Sequence, residues 1–557
     1  MSPDIQARIA AARAAVLARQ PVRTIGQQIM DSRAAQVQDI DGKILEDNLD
    51  QDRAVQMALA GHSFCMIGSA GTGKTTTTRR IVKALISANR LPTLEQSTKH
   101  LRQHTPGMVL ISYTRRAVRN IARQMPDDFK SHCITYHKLV EYEPELVEVE
   151  LDDGSIQRTK PFLPQRNQHN PLPSNLRLVI IDEASMLSLD FFTILCRAIP
   201  NLSNVQFIFI GDIFQLPPVY GLGVLGLQLN RLPVIELTKV YRQALESPII
   251  RLALAIKDNK VPDGLKAVTK DHVEESTSGK VTLIPWKKSL DLEDAQHAVT
   301  KILQQWVHEG RLNFDTDVIL CPWGKSFGTI EMNRAIGTAL ARKHGREVFE
   351  VIAGFEKKYF SVGDKVMVEK QDCEIVKIAR NVRYIGQPPQ PHSPDLDYWG
   401  WNSKGAAAHL AVDEVDIDEL LDAFGNGDVE DRVKEASHAI TVRFLDTGTE
   451  DILTSAGSIN NAELAYAMSV HKSQGSEWER VFVITHAAHQ KMLQQELIYT
   501  AFTRARRELT VIMPPTLLLR SASTAKIKGS TFKDKLKWYA QKLKETNLDE
   551  LKELGVA

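Results

Sequence analysis

The residues Gly68-Ser69-Ala70-Gly71-Thr72-Gly73-Lys74-Thr75 fit the pattern G-x-x-x-x-G-K-[ST], a loop whose backbone N–H groups close around phosphates. Its surroundings suit that chemistry. His62-Ser-Phe-Cys-Met-Ile67 reads as a short buried strand, and Ile81, Leu85 and Ala88 fall on one face of a helix that follows. A glycine loop between strand and helix places phosphate at a helix N-terminus, where unpaired amides and the helix dipole favour negative charge. Lys74 would reach the β- and γ-phosphates and the Thr75 hydroxyl would bind Mg²⁺. Ser69, Ala70, Gly71, Thr72, Gly73 and Thr76 would complete the cradle.

Two further segments could finish such a site. Leu178-Val-Ile-Ile-Asp182-Glu183 is an apolar strand that ends on two carboxylates, at the strand end where open α/β sheets bind their ligands. Asp182 would hold Mg²⁺, and Glu183 would orient and deprotonate an attacking water. Gly211-Asp212-Ile-Phe-Gln215-Leu-Pro-Pro218 also follows an apolar strand. The neutral amide of Gln215 can bond both phosphate and water, so it would sense the γ-phosphate.

Those strands belong to a recognisable pattern. Between 61 and about 240, short apolar runs near 62–67, 108–112, 178–181 and 205–210 alternate with helical stretches. Such continuous runs suit a parallel sheet covered on both faces. A second α/β set is expected at Val318–Cys321, Val481–Ile484 and Leu509–Met513, interrupted by a β-rich stretch from about 340 to 460. Residues 146–159 alternate around Asp153-Gly154, which predicts a hairpin. Residues 1 to about 40 are rich in Ala and Arg and read as an N-terminal helix.

The bulk properties exclude several classes. The chain has 557 residues, 43% hydrophobic and 25% charged, with a net charge of +1. That is ordinary for a globular protein of several domains. No apolar run spans a bilayer and no signal peptide is visible. The five cysteines are scattered without a CxxC pair, which suggests neither a disulfide framework nor a zinc site and fits a reducing, cytosol-like compartment. Any nucleic-acid surface must be local. Basic clusters occur at Arg115, Arg116, Arg119 and Arg123, at Arg504, Arg506 and Arg507, and from Lys526 to Lys544, where Trp538 and Tyr539 stand among lysines. Each could be a solvated helix face or a binding surface.

Taken in order, the motifs resemble a superfamily 1 helicase of the RecD/Dda branch. Gln51-Asp-Arg-Ala54 resembles the Q motif, Thr238-Lys-Val-Tyr241-Arg242-Gln243 motif IV, and Gly363-Asp-Lys-Val-Met367 the G-D-x-V-M segment. Ser469-Val-His471-Lys472-Ser-Gln474-Gly475-Ser-Glu477 resembles motif V and Tyr499-Thr-Ala-Phe-Thr503-Arg504-Ala505 motif VI. The likeness spans about 45 to 513. Motif Ia, Tyr113-Thr114-Arg115-Arg116-Ala117, is closer to the UvrD branch.

The resemblance implies an α/β fold of two RecA-like domains with parallel sheets, a small hairpin insertion and a β-rich, SH3-like insertion. It divides the chain into an N-terminal extension (1–44), a first RecA-like domain (45–240, with a pin insertion at about 141–175), and a second assembled from 241–340 and 460–515. The insertion covers 341–459 and a basic C-terminal helix 516–557. Gln51 would read adenine, Tyr241 would stack on it, and Gly475 would line the nucleotide. Arg242 and Arg504 would be arginine fingers, a role worth on the order of 10³–10⁵ in rate. Tyr113, Thr114, Thr135, His137, Ser469, His471 and Lys472 would contact single-stranded nucleic acid. The activity implied is ATP- and Mg²⁺-dependent 5′→3′ translocation on single-stranded DNA coupled to duplex unwinding, by a monomer in the cytoplasm of a bacterial or phage-infected host cell. Fork junctions would be substrates, and replication or recombination proteins potential partners. An RNA helicase, a translocase that does not unwind, and a catalytically inert scaffold are the alternatives.

Overall fold

The computed structural model describes residues 37–38, 44–45, 49–144, 147–150, 156–159, 162–240, 245–260, 271–285, 292–324, 327–354, 356–368, 371–382, 384, 435–445, 447–529 and 531–556. The chain divides into a unit Met1–Arg53 and a unit Ala54–Ala557. In the first, strands Val37–Gln38 and Ile44–Leu45 pair antiparallel, and the helix Leu49–Leu59 begins.

The larger unit contains two parallel sheets. The first is built from β1 (Phe64–Gly68), β2 (Met108–Ser112), β3 (Cys133–Thr135), β4 (Leu178–Ile181), β5 (Gln206–Gly211) and β6 (Val234–Leu237), in the order β6-β1-β5-β4-β2-β3. Every pairing is parallel. Alternate residues serve opposite faces: Cys65, Ile67, Val109 and Ile111 enter one core, while Phe64, Met66, Met108 and Leu110 enter the other. A strand buried on both faces must be apolar throughout, which explains the unbroken hydrophobic runs. Because β5 lies between β1 and β4, the loop after it opens between the glycine loop and the paired carboxylates.

The second sheet comprises β7 (His272–Ser276), β8 (Gly279–Pro285), β9 (Asp317–Leu320), β10 (Ala467–Met468), β11 (Trp478–Ile484) and β12 (Ala505–Met513), in the order β7-β8-β12-β11-β9-β10. Only β7 runs antiparallel to its neighbour. Between β9 and β10 the chain forms a separate antiparallel sheet with its own core, including Val351, Val366, Ile375 and Val442. Strands Val147–Glu150 and Ile156–Thr159 pair antiparallel, as do Tyr142–Pro144 and Phe162–Pro164. The turn at Asp153-Gly154 and the Phe162 side chain lie outside the described residues.

The C-terminal segment is packed. Helix Phe532–Lys544 starts with a capping box between Thr531 and Asp534 and presses Tyr539 onto Gly226. A Cβ at position 226 would lie 2.1 Å from the Tyr539 ring. Lys535, fully buried, pairs with the fully buried Glu496 at 3.1 Å and donates to Ile527 O. Glu496 also accepts the N–H groups of Lys526 and Ile527. Removing one member of a buried pair leaves an uncompensated charge, at about 3–5 kcal/mol. Lys535→Met, which keeps the length of the stem, should therefore lower the unfolding free energy by about that much in urea titration. A loss under about 1 kcal/mol would mean that the pair is solvated.

Candidate nucleotide and nucleic-acid site

The glycine loop joins β1 to the helix Lys74–Ala88. Gly71 and Gly73 have φ of 79° and 84°, a left-handed conformation open to glycine at little steric cost. Gly68 is needed for space, since a Cβ there would lie 2.3 Å from Thr72 Oγ1. No side chain caps the helix at Gly73, so its first amides are left for an incoming anion. Lys74 Nζ folds onto the loop, donating to Gly68 O at 2.6 Å and Ser69 O at 3.2 Å. Thr75 and Thr76 stand in the first helical turn.

Asp182 and Glu183 follow β4. Burial and the adjacent Glu183 carboxylate push Asp182 up to about 7, against the opposing pull of Lys74. Glu183 adopts a left-handed φ of 51°, unusual for a residue with a side chain. Its Oε2 is buried without a partner, as are Ser112 Oγ, Ser185 Oγ and Gln215 Oε1. All four atoms lie at or just beyond the C-terminal ends of β2, β4 and β5. Buried polar atoms without partners are uncommon and mark a place for water or ligand. The cradle, the lysine and these oxygens together fit a nucleoside triphosphate, and Thr75 and Asp182 are the side chains that could hold its metal ion.

The second sheet's domain reaches this site. Tyr499, on helix Gln495–Phe502, donates to Asp212 Oδ2 at 2.6 Å and accepts from Ala70 N at 3.0 Å. Burial and the Asp212 carboxylate raise the Tyr499 hydroxyl well above the ordinary range, so it stays a donor. Lys257 Nζ bonds Ser69 Oγ at 3.0 Å and lies 4.9 Å from the Phe214 ring. Lys535 lies 5.1 Å from the same ring. Neither Tyr499 nor Lys257 was marked by spacing as a nucleotide-site residue, because each acquires its role only through folding.

Arg504 is buried within its own domain. It donates to Thr500 O at 3.0 Å, Ser476 O at 3.2 Å and Thr503 Oγ1 at 3.1 Å. A finger role therefore requires Arg504 to leave these partners. Gly475, expected at the nucleotide, packs instead on the helix Arg115–Ala122. Its φ is 71°, a Cβ would lie 2.6 Å from Ala117 Cβ, and its carbonyl accepts from Asn120 Nδ2 at 3.4 Å. Gln51 lies on helix Leu49–Leu59, within the N-terminal unit. Tyr241 and Arg242 lie outside the described residues.

The residues expected at nucleic acid gather at strand ends on both domains. Thr114, Thr135 and Ser469 cap short helices, accepting from Ala117 N, Lys138 N and Lys472 N. Tyr113 and His137 join an aromatic cluster, with ring centroids 5.3 Å apart and Phe191 within 5.9 Å of each. His471 is held below the usual imidazole range by burial, with Lys526 acting in the same direction. Lys472 pairs with Glu463. Ser469 and His471 also line a small, mainly apolar pocket with Trp323 and Met492. Between the domains, Arg116 binds Asp372, with Nε 2.7 Å from Oδ2, and covers the Trp478 ring at 4.9 Å.

A phosphate-cradling loop, a strand-end acid pair and a second, mostly parallel-sheet domain define a two-domain α/β protein with a nucleotide cradle. Residues 51–221 match an AAA domain and residues 464–512 a UvrD-like helicase C-terminal domain. The chain is 27% identical over 463 residues to the ATP-dependent RecD2 DNA helicase of Deinococcus radiodurans. That alignment covers 82% of this chain and 48% of the relative, about half its length. It is 22% identical over 487 residues to the RecBCD enzyme subunit RecD of Mycobacterium tuberculosis, covering 83% of this chain and 68% of the relative. A crystal structure of Bacteroides Pif1 bound to ssDNA aligns with 14% identity over 83% of this chain and 91% of that one. The TM-score is 0.40, a superposition too loose to place residues. The chain is therefore similar to RecD-type DNA helicases along most of its length.

Lys74→Ala should abolish ATP hydrolysis, and near-normal turnover would contradict the loop's assignment. Glu183→Gln should keep nucleotide affinity within a few-fold while cutting turnover on the order of 10²–10⁴. Equilibrium nucleotide binding beside steady-state hydrolysis separates the two effects, and lost binding in Glu183→Gln would make the residue structural.

Proposed function

We propose that this chain is an ATP-dependent DNA helicase that moves 5′→3′ along single-stranded DNA and splits duplex ahead of it. The observation that supports this reading most is the second domain's contact with the glycine loop. Tyr499 and Lys257 come from the domain that also carries Ser469, His471 and Lys472. A nucleotide held by the first domain is therefore met directly by the domain that would hold the strand.

In this reading Lys74 leaves the carbonyls of Gly68 and Ser69 for the phosphates. Glu183 orients the attacking water and takes its proton, and the Gln215 amide senses the γ-phosphate. Thr75 and Asp182 would hold Mg²⁺, which would supply positive charge to the phosphates. Arg504, released from Ser476 and Thr503, and Arg242 complete the site as the cleft closes. Closing and opening change the spacing between Thr114 and Thr135 on one domain and Ser469 and His471 on the other, which ratchets a strand held by both. The hairpin containing Val147–Glu150 and Ile156–Thr159 serves as the pin, and the antiparallel insertion as an SH3-like support. Replication or recombination proteins are fitting partners, since the relatives named above include a RecBCD subunit.

Unwinding of DNA and RNA duplexes with either a 5′ or a 3′ single-stranded tail tests this. The expected result is ATP-dependent separation of the 5′-tailed DNA. Preference for a 3′ tail would overturn the polarity, and preference for RNA the substrate.

A further inference from the structure

Tyr499 has no part in the chemistry assigned to Lys74, Glu183 or Gln215, yet its hydroxyl occupies a junction. It is fully buried. It accepts Ala70 N–H from the glycine loop and donates to Asp212 Oδ2, at 3.0 and 2.6 Å. The other Asp212 oxygen accepts Phe214 N at 3.0 Å, so the carboxylate is held from both sides. One second-domain atom therefore joins the glycine loop to the segment ending in Gln215.

The connection continues. Thr500, the next residue, accepts Leu216 N at 3.0 Å. Leu216 O accepts Gln474 Nε2 at 2.9 Å. Gln474 O in turn accepts Thr114 Oγ1 at 3.4 Å, and Gly475 rests on Ala117 so closely that no side chain fits between them. Leu216 is thus gripped at both its N–H and its C=O by the other domain. The series runs from the glycine loop to Thr114, with no solvent-exposed link at Tyr499, Asp212, Leu216 or Gln474.

Hydrogen bonds between buried groups are directional and costly to leave unmade. Displacement of Ala70 or Asp212 must therefore move helix Gln495–Phe502 or break a bond, and the same holds for displacement of Gln474. We infer that Tyr499 is a positioning residue that couples nucleotide occupancy of the glycine loop to nucleic-acid occupancy at Thr114 and the Ser469–Gln474 segment. This deepens the proposed function and rests on it.

Tyr499→Phe tests the inference, since it keeps the ring and removes only the hydroxyl. Affinity for a non-hydrolysable ATP analogue is measured on the full chain with and without saturating oligothymidylate. In the wild-type protein the strand should change that affinity by at least about fivefold, the lower end of ordinary coupling between sites. In Tyr499→Phe the ratio should fall below about twofold, with each ligand alone still binding. Adding Asp212→Asn to Tyr499→Phe should remove no further coupling, because the Tyr499–Asp212 bond that the two residues share is already lost. A wild-type ratio retained in Tyr499→Phe overturns the inference, as does weaker binding of both ligands at an unchanged ratio. Should Tyr499→Phe not fold, Thr500→Val, which removes only the acceptor for Leu216 N, carries the same expectation. Wild-type protein that binds no single-stranded DNA overturns the proposed function itself, whereas DNA binding without effect on nucleotide affinity overturns this inference alone.

Discussion

Asp182 and Glu183 end a buried strand with adjacent carboxylates, and much of the architecture follows from holding that charge in place. Burial first, and then the neighbouring Glu183 carboxylate, raise the proton affinity of Asp182. Lys74 opposes that effect from the neighbouring loop while bonded to the loop's own carbonyls. The lysine is therefore poised between its carbonyl partners and the acid pair. A polyphosphate with a divalent ion would supply the missing partners for lysine, acids and free oxygens alike, which makes the cleft a nucleotide site in charge as well as in shape.

The same cleft is also an interface. Five side chains from four segments of the second domain and the C-terminus converge on the loop and on the segment after β5: Lys257, Gln474, Tyr499, Thr500 and Lys535. Phe214 lies within cation–π range of two of their ammonium groups. The buried Lys535–Glu496 pair ties the C-terminal helix to the helix that carries Tyr499. Movement of one domain against the other must therefore be registered at the phosphate-binding loop. That is a physical requirement for turning hydrolysis into motion.

The sheets were legible because strands buried on two faces must be apolar at every position, and the glycine loop because few residue types can adopt its dihedrals. The acid pair was legible from its place after such a strand. The partners of Tyr499 were not, since Ala70 and Asp212 are 429 and 287 residues away in sequence. Lys535 belongs to a basic run that suggested a solvated or nucleic-acid-binding helix, and only the fold reveals that it is enclosed with Glu496. Similarly, the motifs place Thr114, Thr135 and Ser469 at single-stranded nucleic acid, and in the structure all three hydroxyls cap helices. Arg504 shows the reverse case: its motif was evident, but its present partners lie within its own domain.

The central claim is that strand and nucleotide sites form one machine. The most direct test is the steady-state rate of ATP hydrolysis by the intact chain at saturating ATP, with and without single-stranded DNA. The account predicts a several-fold rise on adding the strand. An identical rate in both conditions would contradict it.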